Sequence, residues 1–157
     1  MATLALDLAT STGWACSDGA SGVVSWREHV YDYGQLDRAF RDWLSDLIVM
    51  HGVTDVVIEP PVLRGAASIL LVGLYWSAQS VACRHECRRR DGDSNKVRRW
   101  LFGPERLKEI KRAPNKYAAR KQLKAAVIEA MKERGHSPAN DDEADALAML
   151  AWAKEAA

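Results

Sequence analysis

Apolar positions first come in short runs separated by tight polar breaks. Residues 3 to 8, Thr3-Leu4-Ala5-Leu6-Asp7-Leu8, make an apolar run of strand length that contains one aspartate. Small hydroxyl residues follow. Two further short segments, Gly13 to Ser17 and Gly22 to Arg27, flank the turn Ser17-Asp18-Gly19-Ala20. This pattern predicts three antiparallel strands. From about Gly34 to His51 the period changes: Leu36, Phe40, Trp43, Leu44, Leu47 and Ile48 recur at helical spacing, and Gly52 ends the helix. Val53 to Ile58 is apolar apart from Thr54 and Asp55, and reads as a buried strand. The helical crossover before it makes it parallel to the first strand. Glu59 closes it, and Pro60-Pro61 forbids further pairing.

The second half reads as mainly helical. Gly65 to about Arg90 reads as one long helix rich in Ala, Leu and Ser, followed by the polar break Arg90-Asp91-Gly92-Asp93-Ser94-Asn95. Lys96 to Phe102 suits a strand or a helix equally. Gly103 to Asn115 is charged, contains two prolines and reads as an exposed loop. Tyr117 to Arg134 is a helix with Leu123, Val127, Ile128 and Met131 on its apolar face, ended by Gly135-His136-Ser137-Pro138. Asn140 or Asp141 caps a last helix over about Asp142 to Ala156. The element order predicts one α/β domain over residues 1–157.

Composition adds little until charge is mapped along the chain. The length of 157 residues suits one domain. No apolar run is long enough to span a membrane, and no export signal is expected at the N-terminus. Three cysteines without such a signal suggest free thiols in a reducing, cytoplasmic compartment. The 22 basic and 21 acidic residues nearly cancel. Yet Arg84 to Lys124 holds fifteen basic residues and five acids, leaving both flanks net acidic. Such clustering suits a polyanion, though a solvated helical surface explains it as simply.

The acids carry the chemistry. A carboxylate inside a buried strand is costly unless paired, hydrogen-bonded or metal-bound, so Asp7 needs an explanation. Asp142 and Asp145, spaced i, i+3, share one face of the last helix, while Glu143 is rotated away. Taken alone, that pair is explained by the helix dipole. Together with Asp7 and the strand-ending Glu59, however, three distant segments offer carboxylates to one sheet end. Hard divalent ions take such oxygen ligands while keeping positions open for water and phosphate. Two ions about 3.5–4 Å apart can stabilise the attacking and leaving oxygens of a phosphodiester.

Asp7 with Thr10-Ser11-Thr12-Gly13-Trp14-Ala15, the strand end Val56-Val57-Ile58-Glu59, and Asp142-Glu143-Ala144-Asp145-Ala146-Leu147-Ala148 resemble the RuvC family of Holliday-junction resolvases, the phage-type members above all. The resemblance spans nearly the whole chain in the same order. It implies a ribonuclease H-like fold, with a mixed five-stranded sheet of three antiparallel strands followed by parallel strands, flanked by helices. It also implies a homodimer that cuts branched DNA with Mg2+ or Mn2+, two ions per site. By similarity Asp7, Glu59, Asp142 and Asp145 are the catalytic metal ligands. The family's phosphate-contacting basic residues match Arg98 or Arg99 and Arg120 or Lys121 most nearly; Lys116 is a further candidate DNA contact. Where resolvases often place an aromatic wedge, this chain has Val62 and Leu63, which implies relaxed selectivity among branched DNAs.

Other readings compete. The Asp7 hairpin also resembles the first phosphate-binding hairpin of actin-like ATP-binding proteins, but those pair two such domains, and no second glycine-rich phosphate loop follows. A non-catalytic binder of branched DNA would not require all four acids. A proofreading-type exonuclease is disfavoured by Ala9, which stands where a second strand acid is expected. Cys83-Arg84-His85-Glu86-Cys87 suggests zinc, but only two cysteines share a helix face and no second pair exists, so both read as small buried side chains. Trp14, Trp26, Trp43, Trp76 and Trp152 read mostly as core, and so does Trp100, although it is also placed to stack on a base. His29, His51 and His136 have no evident partner.

Overall fold

The computed structural model describes residues 1–29, 31–61 and 68–155. The N-terminal apolar run forms β1 (Ala2–Asp7), with Leu4, Ala5 and Leu6 fully buried. β2 (Ser11–Cys16) and β3 (Ser21–Ser25) follow as antiparallel partners, placing Asp7 opposite Gly13 and Gly13 opposite Val23. A short 3-10 turn, Arg27–His29, leads to α1 (Tyr33–Met50). Asp32 caps α1, its Oδ1 accepting from the Gly34 and Gln35 amides at 3.0 Å. β4 (Val53–Ile58) returns parallel to β1. Then come α2 (Ser68–Arg84), β5 (Arg88–Asp91), α3 (Ser94–Ile110), α4 (Lys116–Glu133) and α5 (Asp141–Glu155). The sheet order is β3-β2-β1-β4-β5, with β5 parallel to β4. This is the ribonuclease H-like arrangement expected for the chain, with α1–α5 flanking the sheet.

Strand alternation gives the sheet two cores. Leu4, Leu6, Val56 and Ile58 join Phe40, Leu44 and Val81 of α1 and α2 on one face. Trp26 closes that layer, packing edge-on against Phe40 at 5.5 Å and Trp43 at 5.4 Å. Ala5, Ala15 and Val57 face the opposite side with Val127, Met131, Ala144 and Leu147 of α4 and α5. Small residues on both partners let α5 lie close to the sheet. The closest approach is at Gly13, where a Cβ would stand 2.0 Å from the Asp142 carbonyl oxygen. Asn140 caps α5, accepting from the Glu143 amide at 3.0 Å.

The structure corrects several expectations. The helix expected to reach Arg90 stops at Arg84, and Arg88–Asp91 is an edge strand. Glu86 breaks the helix with a positive φ of 56°. Arg90 then folds onto Asp55 of β4 and donates to the Ala153 carbonyl at 3.2 Å. Tertiary pairing overrides a charged segment with no apolar alternation to announce a strand. Residues 103–110, expected as loop, continue α3 beyond a kink at Gly103 (φ 71°). Pro104 is tolerated because it opens the second segment, where no amide donor is needed. Residues 96–102 resolve as helix, and the irregular stretch shrinks to 111–115. Trp76, expected in the core, is 66% exposed. Cys87 is buried as expected, but Cys83 is exposed.

Gly13→Ala is expected to cost about 2–3 kcal/mol, because the new methyl must displace backbone rather than a flexible side chain. Urea unfolding reads this as a lower midpoint at unchanged slope; an unchanged midpoint would refute the close approach.

Candidate active site

Register explains why the acids meet. Asp7 lies two residues beyond Ala5 and Glu59 two beyond Val57, so both side chains project toward the α5 face of the sheet. β1 and β4 are neighbours, and the Glu59 amide donates to the Leu6 carbonyl at 3.2 Å, holding the two strand ends level. Gly13, opposite Asp7, admits the first turn of α5, which brings Asp142 and Asp145 over them. All four acids line one cleft of about 630 Å³ at the C-terminal ends of β1 and β4.

Their electrostatics show the strain of that convergence. Burial pushes the Asp7 carboxyl well above its ordinary range. The negative charges of Glu59, Asp145 and Asp142 push it further, and the Asp7–Glu59 hydrogen bond favours the protonated form. Burial also raises Asp145, with Arg98 and Lys124 pulling the other way and Glu59 adding to the rise. Arg98 Nη2 lies 3.5 Å from Asp145 Oδ2, a long ion pair, while its Nε is buried without a partner. This arginine therefore offsets part of the charge on one acid and leaves room in the cleft. The donor set suits hard cations: it is all carboxylate, and the opening admits water and phosphate. No three of these acids bring donor atoms within 4.8 Å of one another, so they line the cleft without closing on a single point. Among the described residues, the group whose donor atoms do meet within that distance is Cys16, Asp18 and His51. There His51 Nδ1 lies 2.6 Å from Asp18 Oδ2, an unexpected partner for this histidine. The Ala20 amide and the His51 ring hold Asp18 down to about 2.

Other acids of α5 are structural. Glu143 is buried; it accepts from Ser21 Oγ at 2.6 Å and from the Ala139 amide at 2.8 Å, tying the helix start to β3. Asp141 pairs with Lys124. Of the expected basic contacts, Arg98, Lys116 and Arg120 line the cleft. Lys121 lies in an adjoining groove along α4, and Arg99 is exposed outside both. Lys111 and Lys124 also line the cleft. The i, i+4 spacing of Lys116, Arg120 and Lys124 on α4 was the available signal for Lys124; Lys111, just past the end of α3, carried none. Val62 and Leu63 lie outside the described residues. Trp100 is half-buried, donates to Glu155 at 2.9 Å and lies under the Arg134 guanidinium at 4.6 Å, so its face is already covered. His85 meets Ser45 at 2.6 Å, and Cys87 donates to the Val53 carbonyl at 3.3 Å, so this segment forms no zinc cluster.

Fold and site thus define an α/β protein of ribonuclease H-like arrangement with a carboxylate cluster at the sheet end. Compared with known families and curated proteins, the chain matches no family model and no curated sequence. Among the described residues, no helix is long and apolar enough to cross a membrane.

Because the folded state holds the Asp7 proton more tightly than the unfolded chain, charging Asp7 opposes folding. That penalty grows as pH rises from about 4 through the raised folded value. Without divalent ions, Asp7→Asn is therefore expected to melt above the wild type by a margin that widens from about pH 4 towards neutrality. Mg2+ or Mn2+ should narrow the margin by stabilising only the wild type. Thermal melts across pH check both, and a margin independent of pH and metal would contradict the arrangement.

Proposed function

We propose that this protein is a metal-dependent, structure-selective DNA endonuclease that hydrolyses phosphodiesters in Holliday junctions or other branched DNA. The observation that carries this reading is the meeting of Asp7, Glu59, Asp142 and Asp145, from three remote segments, in a cleft walled by cations. Mg2+ or Mn2+ bound there would supply Lewis-acid activation of water and charge stabilisation at the leaving oxygen. Asp7 and Glu59 would hold the ions from the sheet, with Asp142 and Asp145 opposing them from α5. Arg98, Lys111, Lys116, Arg120 and Lys124 bind and orient the DNA backbone and offset charge gathering on the phosphate. Following the resemblance to RuvC resolvases, two copies act as a homodimer, each cutting one strand.

An observation at the first hairpin counts against the ATP-binding reading. The Thr12 hydroxyl donates to the Ala9 carbonyl at 3.0 Å and accepts from Trp26 Nε1 at 2.9 Å, so it is committed to holding the turn. A non-catalytic DNA binder would gain nothing from four converging carboxylates that destabilise one another.

Labelled four-way, three-way and flap DNA should be nicked in Mg2+ or Mn2+, leaving 5′-phosphate ends, and EDTA should stop the reaction. Asp7→Asn and Asp142→Asn are each expected to slow cleavage by more than roughly 100-fold, the upper end of the cost of losing an outer-shell partner. Binding without cleavage in either metal would instead establish the non-catalytic reading, and metal-dependent ATP hydrolysis the nucleotide-binding one.

A further inference from the structure

Beside the acidic cleft lies a second groove, of about 510 Å³, formed along α4 and bordered by Asp141. Its wall is one stripe of the helix: Tyr117, Arg120, Lys121, Lys124, Ala125 and Ile128 follow each other at alternating spacings of three and one. Three features are unusual together. Tyr117 is 81% exposed, with its ring free on the surface. Ala125 and Ile128 continue an apolar floor beyond it. The cations above that floor have no acid among them, because α4 carries none between Lys116 and Ile128. Asp141, the one carboxylate at the rim, is already paired with Lys124. An exposed apolar strip under a cationic rim is poorly suited to solvent or to an acidic peptide's side chains alone. It matches a ligand that is anionic along its backbone and flat and apolar at its side groups.

We propose that this α4 groove is a binding track for unpaired single-stranded nucleic acid, with Tyr117 as its base-stacking platform. This deepens, and rests on, the nuclease reading above. Arg120 and Lys124 line both the groove and the acidic cleft, so a strand leaving the cleft crosses this shared ridge without leaving positive charge. From Tyr117 to Ile128 the helix advances about 16 Å, room for a short run of splayed bases. Phosphates meet Arg120, Lys121 and Lys124, while a base stacks on Tyr117 and contacts the Ala125–Ile128 floor. A paired duplex cannot use this floor, since its base faces are stacked inside the helix. The track therefore favours substrates with an unpaired arm, such as flaps or partly melted junctions, over fully paired four-way junctions.

The test compares wild type and Tyr117→Ala on two substrates: a fully paired four-way junction, and the same junction carrying one unpaired arm. Binding is measured separately in the Asp7→Asn background, with a fluorescent base analogue in the unpaired arm. Wild type is expected to favour the unpaired-arm substrate. Tyr117→Ala should raise KM for that substrate about tenfold, as expected for loss of one base–aromatic stack, with kcat and fully paired cutting unchanged. It should also abolish the stacking-induced fluorescence change, and Tyr117→Phe should restore both. If wild type cleaves DNA but Tyr117→Ala matches it on the unpaired arm, the track is refuted and the nuclease reading stands. If wild type cleaves neither substrate, the nuclease reading falls; the track then stands only if the base analogue still reports Tyr117-dependent stacking.

Discussion

The site depends on a glycine facing a helix start. Gly13 has no side chain, and the Asp142 carbonyl occupies the place where one would be. The α5 half of the acidic site follows from that contact. It sets how near α5 lies to the sheet, and therefore how near Asp142 and Asp145 come to Asp7 and Glu59. Asn140, Glu143 and Ser21 secure the same helix turn by hydrogen bonds, so its position is fixed from both sides.

The cost of the arrangement is electrostatic. Gathering carboxylates where water is partly excluded raises the pKa of Asp7 and Asp145. Arg98 and Lys124 offset only part of it for Asp145. A fold selected for stability alone would pair or remove these acids, as it does elsewhere: Asp55 is matched by Arg90, Asp141 by Lys124, and Glu143 by hydrogen-bond donors. The contrast separates acids that hold the fold together from acids that the fold holds against their own repulsion. Such uncompensated clusters are characteristic of functional sites.

Charge on the opposing wall is arranged in the same spirit. α4 presents Lys116, Arg120 and Lys124 to the cleft, and its buried stripe of Leu123, Val127 and Met131 anchors it in the second core. The rigid helix thus fixes the spacing of its cations, whereas the same residues on a loop would scatter. The kink at Gly103 lets α3 carry Arg98 to the cleft while Leu101, Leu107 and Ile110 still pack against the second core.

Strands of alternating or continuous apolar character, amphipathic helices, and acids at the ends of buried elements were all legible along the chain. Local periodicity encodes these, because burying one face of a strand or helix dictates spacing. It could not announce β5, whose Arg88-Arg89-Arg90-Asp91 stretch has no apolar pattern and is a strand only because β4 offers an unpaired edge. Nor could it tell that Gly103-Pro104 kinks a helix instead of opening a loop, or that Trp76 stays exposed. Above all, packing alone settled which charges belong together. Asp142, Asp141 and Glu143 are neighbours in sequence, yet one lines the cleft, one pairs with α4 and one is anchored to β3. Helical rotation of about 100° per residue sends adjacent side chains to different surroundings, and only packing determines what awaits each of them.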